Sequence, residues 1–234
     1  MPIFWEEICL NNPSGLELDH AFIGCAAGAP EGDALLRLGF VEGSANVHPG
    51  QGTANRRFFF DNFMLELVFV SNPEEAQSER TCRTRLWDRL ERQDPQVSPF
   101  GIIFKPAGTE AAEAPFPTWS YTPAYLPPGL AMQVGEGTSL YEPELFYLPF
   151  LNRGRQRSGE PTLHALPIRK ILAISVGVSR LDQLSGAACI ARRHGLLSYF
   201  DSPQPVMQVS FEGVAGLSFD LRPRLPLIFR SVAP

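Results

Sequence analysis

The chain has 234 residues, 44% hydrophobic and 19% charged, so it is long enough to bury a sizeable core and to fold alone. Its 22 prolines and 20 glycines favour many short elements joined by turns over a bundle of long helices. The net charge of −5 argues against nucleic acid or an anionic membrane surface as the main partner, because both require a basic face. The sequence lacks a run of about 18 apolar residues and a signal-peptide pattern, so we expect a soluble cytoplasmic protein with no membrane partner.

The first part of the chain predicts the element order β, α, β, β, β. Residues 16–26 alternate as a strand does, with Leu18, His20 and Phe22 on one face and Asp19 on the other. The elements that follow are a helix at residues 30–39, strands at 40–43 and 54–61, a tight turn at Asp61 and Asn62, and a strand at 63–70.

The middle of the chain changes in composition. Residues 72–94 predict an amphipathic helix that begins at Asn72, and residues 100–105 predict a strand. Residues 106–163 are rich in Pro, Gly and aromatic residues, so we expect an extended or irregular connecting segment. Its aromatic residues either pack together or line a ligand pocket, for which the candidates are Trp119, Tyr121, Tyr141 and Phe146.

The last part of the chain repeats the order β, α, β, β, β. The predicted elements are strands at 168–178, 196–200, 206–212 and 216–222 with a helix at 181–194. Matched element order indicates a duplication. When the two halves are aligned, Lys170 falls opposite His20 and Asp220 falls opposite Glu66, so these four polar groups are expected to converge inside a curved sheet.

Three short motifs in the first half carry a family resemblance. They are Leu-Asp-His at residues 18–20, His-Pro-Gly-Gln-Gly-Thr-Ala-Asn at 48–55 and Leu-Glu-Leu at 65–67. With them the chain resembles a glyoxalase-like domain of the vicinal oxygen chelate superfamily. The resemblance implies an α+β fold in which two βαβββ modules form a cupped mixed sheet. We place the first module with its following helix and strand at 16–105, the connecting segment at 106–163 and the second module at 164–234, all within one structural domain.

The resemblance also implies a metal site. Members of the superfamily hold a divalent metal through His or Glu on first and fourth strands, which here implies His20, Glu66 and Asp220 as ligands. Imidazole and carboxylate suit Fe, Mn, Ni, Zn or Co, and such a metal stabilises an enolate by chelating two neighbouring substrate oxygens. Glu66, His48 and Lys170 are the candidate catalytic residues. The expected ligand-binding residues are Asn55, Arg57, Trp119, Tyr141, Phe146 and His164.

Lys170 opposes the metal interpretation, because a protonated ammonium is not a ligand and is repelled by a divalent cation. It could instead pair with Glu66 and Asp220 and replace the charge of the metal. Each site residue also has a structural alternative. Glu66 could pair with Arg57 and Asp220 with Arg222 or Arg224. His20 could be satisfied by a hydrogen bond in the core, and the loop before Asn55 could be purely structural. His164 lies between a loop and a strand, from where it could reach the cup.

Three functions are compatible with these residues. The first is a metal-dependent lyase, isomerase or dioxygenase that acts on a small oxygenated metabolite bound in the cup. The second is a small-molecule-binding module without turnover, whose site Lys170 neutralises in place of a metal, so that no cofactor is needed. The third is a degenerate structural module. In the first two the partner is a small molecule, and the fold allows a homodimer.

Overall fold

The computed structural model describes residues 15–108, 113–151 and 159–233. The helices are α1 (Gly32–Arg37), α2 (Pro73–Ala76), α3 (Leu86–Leu90) and α4 (Gly186–Arg193). The strands are β1 (Leu16–Gly24), β2 (Asn46–His48), β3 (Thr53–Phe59), β4 (Met64–Val70), β5 (Phe100–Pro106), β6 (Thr118–Tyr121), β7 (Met132–Gly135), β8 (Glu144–Tyr147), β9 (Ile171–Val178), β10 (Ser198–Asp201), β11 (Val206–Glu212), β12 (Ser218–Asp220) and β13 (Leu227–Val232). Within these ranges no helix is long and apolar enough to cross a membrane.

The first sheet has eight strands in the order β2-β3-β4-β1-β5-β8-β7-β6. In its first half β1 pairs in parallel with β4, and β4 and β3 continue as antiparallel neighbours. The second half repeats these pairings, since β5 runs parallel to β8 and β8 runs antiparallel to β7. The two halves join through the antiparallel pair β1 and β5. The partner module of the cup is therefore formed by β5 to β8.

The second sheet has five strands in the order β10-β9-β11-β13-β12. Its pairings follow those of the first sheet: β9 is parallel to β10 and antiparallel to β11, while β11 is parallel to β13. The outermost strand, β12, pairs antiparallel with β13. This sheet is thus a shortened copy of the eight-stranded one, with fewer strands on both sides of its central pair.

The two faces of the eight-stranded sheet bury different clusters. One face, which carries Ala21 and Leu65, packs with Phe229 and other side chains of the second sheet in one large apolar core. The opposite face, which we call the cup face, carries Phe22 and Val68 and is partly covered by α2 and α3. Strand alternation separates the two sets, because successive side chains point to opposite faces.

The strand pairing confirms the predicted class, α+β with βαβββ pairing in a mixed sheet, and changes the position of the second module. Residues 100–147 complete the cup, so part of the predicted connecting segment is sheet. The strands β6, β7 and β8 have four residues each, too short for a periodic pattern to be recognised. The last strand, β13, was not predicted, and the strand predicted at 40–43 does not form.

The predicted helix at residues 72–94 is broken. Asn72 begins it as expected, because its side chain accepts hydrogen bonds from the backbone N–H groups of Glu74 and Glu75. The helix then ends at Ala76, since the hydroxyl of Thr81 donates to the carbonyl oxygens of Glu75 and Ala76 at 2.6 and 2.9 Å. A side chain that takes these acceptors competes with helix continuation.

Candidate polar site on the cup face

A cluster of polar side chains lies on the cup face beside the apolar cluster. It is formed by neighbouring strands, because β3 pairs with β4 and β4 pairs with β1. Arg57 lies directly opposite Glu66, and Glu66 lies beside Phe22 of β1. The motifs at residues 18–20, 48–55 and 65–67 thus contribute to one surface.

A β-bulge in β1 brings Asp19 and His20 together. Leu18 pairs with Phe104 and His20 with Ile103, so Asp19 is the extra residue in the strand. His20 Nδ1 lies 2.7 Å from Asp19 Oδ2, and the other oxygen of Asp19 lies 2.9 Å from the ammonium of Lys105. The predicted strict alternation was wrong at this point, because a bulge resets which side each residue faces.

Glu66 is nearly buried, with 8% of its surface exposed. Its Oε1 accepts a hydrogen bond of 3.0 Å from the side-chain amide of Asn55. The carbonyl oxygen of that amide accepts from the backbone N–H of Asn46 at 2.8 Å, which fixes the orientation of the amide. The carboxylate that stood out in an apolar strand is therefore hydrogen-bonded, and Oε2 makes no hydrogen bond to the described residues.

The loop between β2 and β3 is held against α2 by one carboxylate. Glu75 Oε2 accepts hydrogen bonds from the backbone N–H groups of Gly50 and Gly52 at 2.6 and 3.1 Å. Both glycines have positive φ, and a Cβ at Gly52 would collide with the carbonyl oxygen of Asn72. Glycine is required there because an added side chain would strain the backbone and collide with it. The loop is thus fixed next to the cluster.

His48 lies at the start of this loop and is buried. Its Nδ1 is 2.9 Å from the hydroxyl of Thr53, and its ring centroid is 4.9 Å from that of Tyr125. Burial lowers the pKa of His48, an effect that the charge of Glu66 opposes and that of Arg57 reinforces. We therefore describe His48 as a neutral imidazole at pH 7.

Two further residues complete this side of the cluster: Gln51, which the sequence offered only as part of the motif at 48–55, and Tyr125, which it did not single out. Gln51 donates to the hydroxyl of Thr53 at 2.9 Å and accepts from the hydroxyls of Tyr121 and Tyr125 at 3.3 and 3.5 Å. Burial raises the pKa of Tyr121 to about 12 and also raises that of Tyr125, so both phenols stay protonated. Tyr125 lies in a loop without periodicity, and no sequence signal distinguishes it from the other aromatic residues nearby.

Arg57 is at the edge of the cluster and is largely engaged. Its guanidinium donates to the carbonyl oxygen and the hydroxyl of Ser44 at 2.6 and 2.5 Å. It lies over the ring of Phe59 and is 3.8 Å from a carboxylate oxygen of Glu160. The alternative pair of Arg57 with Glu66 does not form a direct salt bridge within the described residues.

The aromatic candidates separate into two groups. Phe146 and Trp119 belong to the apolar cluster of the cup face, where the guanidinium of Arg83 lies over the Trp119 ring at 4.2 Å. Tyr141 does not join them, because its ring is covered by the guanidinium of Arg180 at 3.5 Å and its hydroxyl donates to Asp94. Tyr141 therefore packs between elements away from the polar cluster.

Three predicted site residues lie elsewhere. Lys170 precedes β9 of the second sheet and is exposed, 3.9 Å from Glu212. Asp220 lies in β12 and forms an exposed salt bridge of 2.6 Å with Arg222, which was the alternative for this residue. His164 accepts from the backbone N–H of Val41, and its other nitrogen bonds to the carbonyl oxygen of Phe59, both at 3.0 Å. The predicted convergence of four residues was wrong, because β1 pairs with β5 and not with the second sheet.

The donor set of the cluster does not fit a metal held by three protein ligands. Among the described residues no three His, Cys, Asp or Glu side chains are arranged to hold a metal ion. His20 and Glu66 are the expected ligands present, and each already has a side-chain partner, Asp19 and Asn55 respectively. The third expected ligand, Asp220, is in the other sheet.

Comparison with known proteins agrees with this architecture. The eight-stranded mixed sheet, whose two halves have the same strand pairing and join through β1 and β5, is the cupped sheet of a glyoxalase-like fold. A family model described as a glyoxalase-like domain matches residues 18–137, just over half of the sequence, so the chain belongs to the glyoxalase-like domain family. A search of the curated proteins gives no match.

Solved structures support the fold. A hypothetical protein from Staphylococcus aureus is 12% identical, and the match covers 94% of this chain and 100% of that one with a TM-score of 0.56. A triple mutant of 4-hydroxymandelate synthase from Streptomyces coelicolor is 13% identical, covering 93% of this chain and 62% of that one with a TM-score of 0.39. The likeness in fold rests on the first of these, and the cupped glyoxalase-like sheet is confirmed.

Proposed function

We propose that the polar cluster binds a small oxygenated metabolite and catalyses a proton transfer on it, with Glu66 as the base. The observation that carries the proposal is the state of this carboxylate. It is nearly buried, one oxygen is fixed by Asn55, and the other makes no hydrogen bond to the described residues. A held carboxylate with an open oxygen can accept a proton from a bound substrate.

His20 is the complementary proton donor in this proposal. With both ring nitrogens protonated, Nδ1–H donates to Asp19, which orients the ring, and Nε2–H is left for the substrate. Lys105 holds the other oxygen of Asp19 and so keeps it in place. The Nε2 atom of His20 can then give a proton to a substrate oxygen while Glu66 removes one from a neighbouring carbon or hydroxyl. Such a pair supports isomerase or lyase chemistry without any step through a metal.

His48 has a supporting role as a neutral hydrogen-bonding group beside Glu66. Because its pKa is lowered by burial, it adds no positive charge that would neutralise the base. The apolar side of the cup, with Phe22 and Phe146 at a centroid distance of 6.1 Å, supplies a surface for the carbon skeleton of the ligand.

The first test is proton exchange by NMR in D₂O with hydroxyacetone and dihydroxyacetone as probes. We predict that wild-type protein accelerates exchange of the hydrogens next to the carbonyl, and that Glu66→Gln lowers the rate at least about 100-fold, the usual contribution of a general base. Glu212→Gln, an exposed glutamate on the second sheet, is the matched control and should leave the rate unchanged. Equal exchange by wild type and Glu66→Gln contradicts the proposal.

A binding module without turnover is the second candidate, favoured by the apolar and aromatic side of the cup. It predicts that metabolites stabilise the protein thermally while no probe is exchanged or converted. Lys170 does not take part in it, since this side chain is on the other sheet.

Metal dependence, expected from the resemblance, stays a prediction. Metal analysis of protein purified without chelators tests this prediction. The cytoplasmic location and a homodimer are two further proposals, which come from the sequence.

A further inference from the structure

A cavity of about 350 Å³ lies outside the cup, where loops from both sheets meet. It is bordered by the end of β1, the start of α1, the segment after α3 and the segments before β11 and β13. The side chains that can bind a ligand there are Cys25, Glu31, Arg92, Gln93, Gln204 and Arg224. This is a polar wall with two cationic groups, unlike the apolar part of the cup.

The two arginines of this cavity are available for a ligand. Arg92 and Arg224 are exposed, and neither forms a salt bridge or hydrogen bond with another described residue. Arg56, which also influences Cys25, is in contrast fully engaged by Glu42 and Asp33 at 2.6 and 3.0 Å. Although the Arg92 side chain is exposed, neighbouring atoms partly desolvate its guanidinium and lower the pKa of Arg92, an effect that a bound anion would offset.

The acidic and thiol groups of the wall restrict the type of ligand. One carboxylate, Glu31, opposes the two guanidinium charges, which leaves about one positive charge for a ligand to neutralise. Its Oε2 is buried without a hydrogen-bond partner among the described residues, so a ligand with a hydroxyl group beside its anion brings a donor to this wall. Burial raises the pKa of the Cys25 thiol, so it stays protonated and is no nucleophile.

The rim of the cavity is rigid. Four of its residues are prolines, at positions 95, 205, 223 and 226, and a proline ring fixes its own φ angle. A rim that is already ordered loses little conformational entropy when a ligand binds.

We propose that this cavity is a second ligand site, which takes a small hydroxylated metabolite carrying one carboxylate or phosphate group, bound by Arg92 and Arg224. Arginine is the side chain best suited to this task, because its planar guanidinium pairs with both groups through two parallel hydrogen bonds. The site is separate from the polar cluster on the cup face and does not depend on the proposed proton transfer.

Isothermal titration of the full chain with lactate and, separately, with inorganic phosphate tests the site at constant ionic strength. We expect saturable binding of at least one of the two, weakened 10-fold or more in R92Q/R224Q. R193Q, which removes an exposed arginine of α4, and E66Q should bind as wild type does. Binding of lactate alone assigns a carboxylate ligand and binding of phosphate alone a phosphate ligand.

Two results would overturn the proposal: no saturable binding of either anion, or equal binding by wild type and R92Q/R224Q. Circular dichroism of R92Q/R224Q controls for folding, and because both arginines are exposed we expect it to fold normally. R92K/R224K keeps the charges but removes the paired hydrogen bonds, so its affinity should lie between those of wild type and the glutamine variant.

Discussion

His48 and Glu66 occupy similar depths in the cup face but are kept in their places by different partners. The carboxylate is held by an amide, Asn55, while the imidazole contacts a hydroxyl, Thr53, and an aromatic ring, Tyr125. Uncharged partners suit both residues, because they fix the geometry without neutralising the proposed base. At this scale the chemistry depends on groups supplied by a loop as much as on the strands.

The buried imidazole leads to a prediction about stability and pH. Between an unfolded-state pKa of about 6.5 and its lower folded-state value, His48 binds a proton only in the unfolded state, so stability falls as pH falls below about 6.5. The unfolding free energy of His48→Gln should therefore fall less steeply than that of wild type as the pH is lowered from about 7 to about 5. Urea unfolding at several pH values measures this.

The exposed His194 provides the control for this experiment. His194→Gln should keep the wild-type slope. Some slope will persist in His48→Gln, because burial also lowers the pKa of His164, which contributes with the same sign. An unchanged slope in His48→Gln would contradict the buried, neutral state of this residue.

At the scale of elements, Arg89 joins α3 to the strand β8 and the turn before it. Its guanidinium is fully buried and donates to the carboxylate of Glu144 at 3.0 Å and to the carbonyl oxygens of Glu142 and Ser139 at 2.7 and 2.9 Å. Burial raises the pKa of Glu144, which the charge of Arg89 counteracts. The short helix is thus tied to the half of the cup that the sequence pattern did not reveal.

Removal of this arginine should be costly. Arg89→Met leaves the Glu144 carboxylate and several carbonyl oxygens buried without a donor, so we expect a loss of about 3–5 kcal/mol in unfolding free energy by urea denaturation. Arg85→Met, which breaks the exposed pair with Asp88, should cost no more than about 1 kcal/mol. A loss below about 1 kcal/mol in Arg89→Met would show that the pair is not needed. Arg89→Met/Glu144→Leu should recover part of the loss.

At the scale of the whole molecule, the two sheets share one core and are also joined by a turn. Phe229 of the second sheet lies 5.1 Å, centroid to centroid, from Phe40 of the first module. The side chain of Asn62 accepts from the backbone N–H of Ile171 and donates to its carbonyl oxygen, at 2.9 and 2.7 Å. The turn between β3 and β4 therefore binds the backbone at the start of β9, with the same pair of hydrogen bonds that a neighbouring strand would form.

Loss of this link should affect both sheets together. Asn62→Ala removes two hydrogen bonds and should lower the unfolding free energy by about 1–3 kcal/mol. Because the core is continuous, tryptophan fluorescence and far-UV circular dichroism should report a single coincident transition in wild type and variant. Ser120→Ala, at an exposed strand position, is the control and should have little effect. Separate transitions for the two probes would contradict a shared core.

The elements that were predicted correctly are those whose own residues carry a clear local pattern. The strands that carry His20, Asn55 and Glu66 were predicted because each has alternation or a motif, and the cap at Asn72 was predicted because its chemistry is local. The second module was placed too far along the chain. Its strands of four residues lie among prolines, and the decisive fact, that β1 pairs with β5, is a long-range contact that no local pattern records.

The same limit applies to the candidate site. The alignment of the two halves assumed that modules with similar element order share one sheet. It therefore placed Lys170 and Asp220 in the cup, whereas both residues lie at the second sheet. The second sheet does repeat the pairing order, but as a shortened copy behind the cup. Tyr125 was missed, and the contacts of Gln51 were not predicted, because both depend on which loop meets which strand.

The extra residue at the bulge in β1 has a consequence for how the gene can change. Leu16, Leu18, Ala21 and Ile23 all lie on the core side only because Asp19 interrupts the count between Leu18 and Ala21. An in-frame loss of the Asp19 codon would shorten this interval by one residue, so that strict alternation would place Leu18, Ala21 and Ile23 on the core side and His20 on the cup side, where they lie now. A single-codon deletion here therefore keeps the two faces of the strand and, like a substitution at the same position, removes the carboxylate that contacts His20 and Lys105.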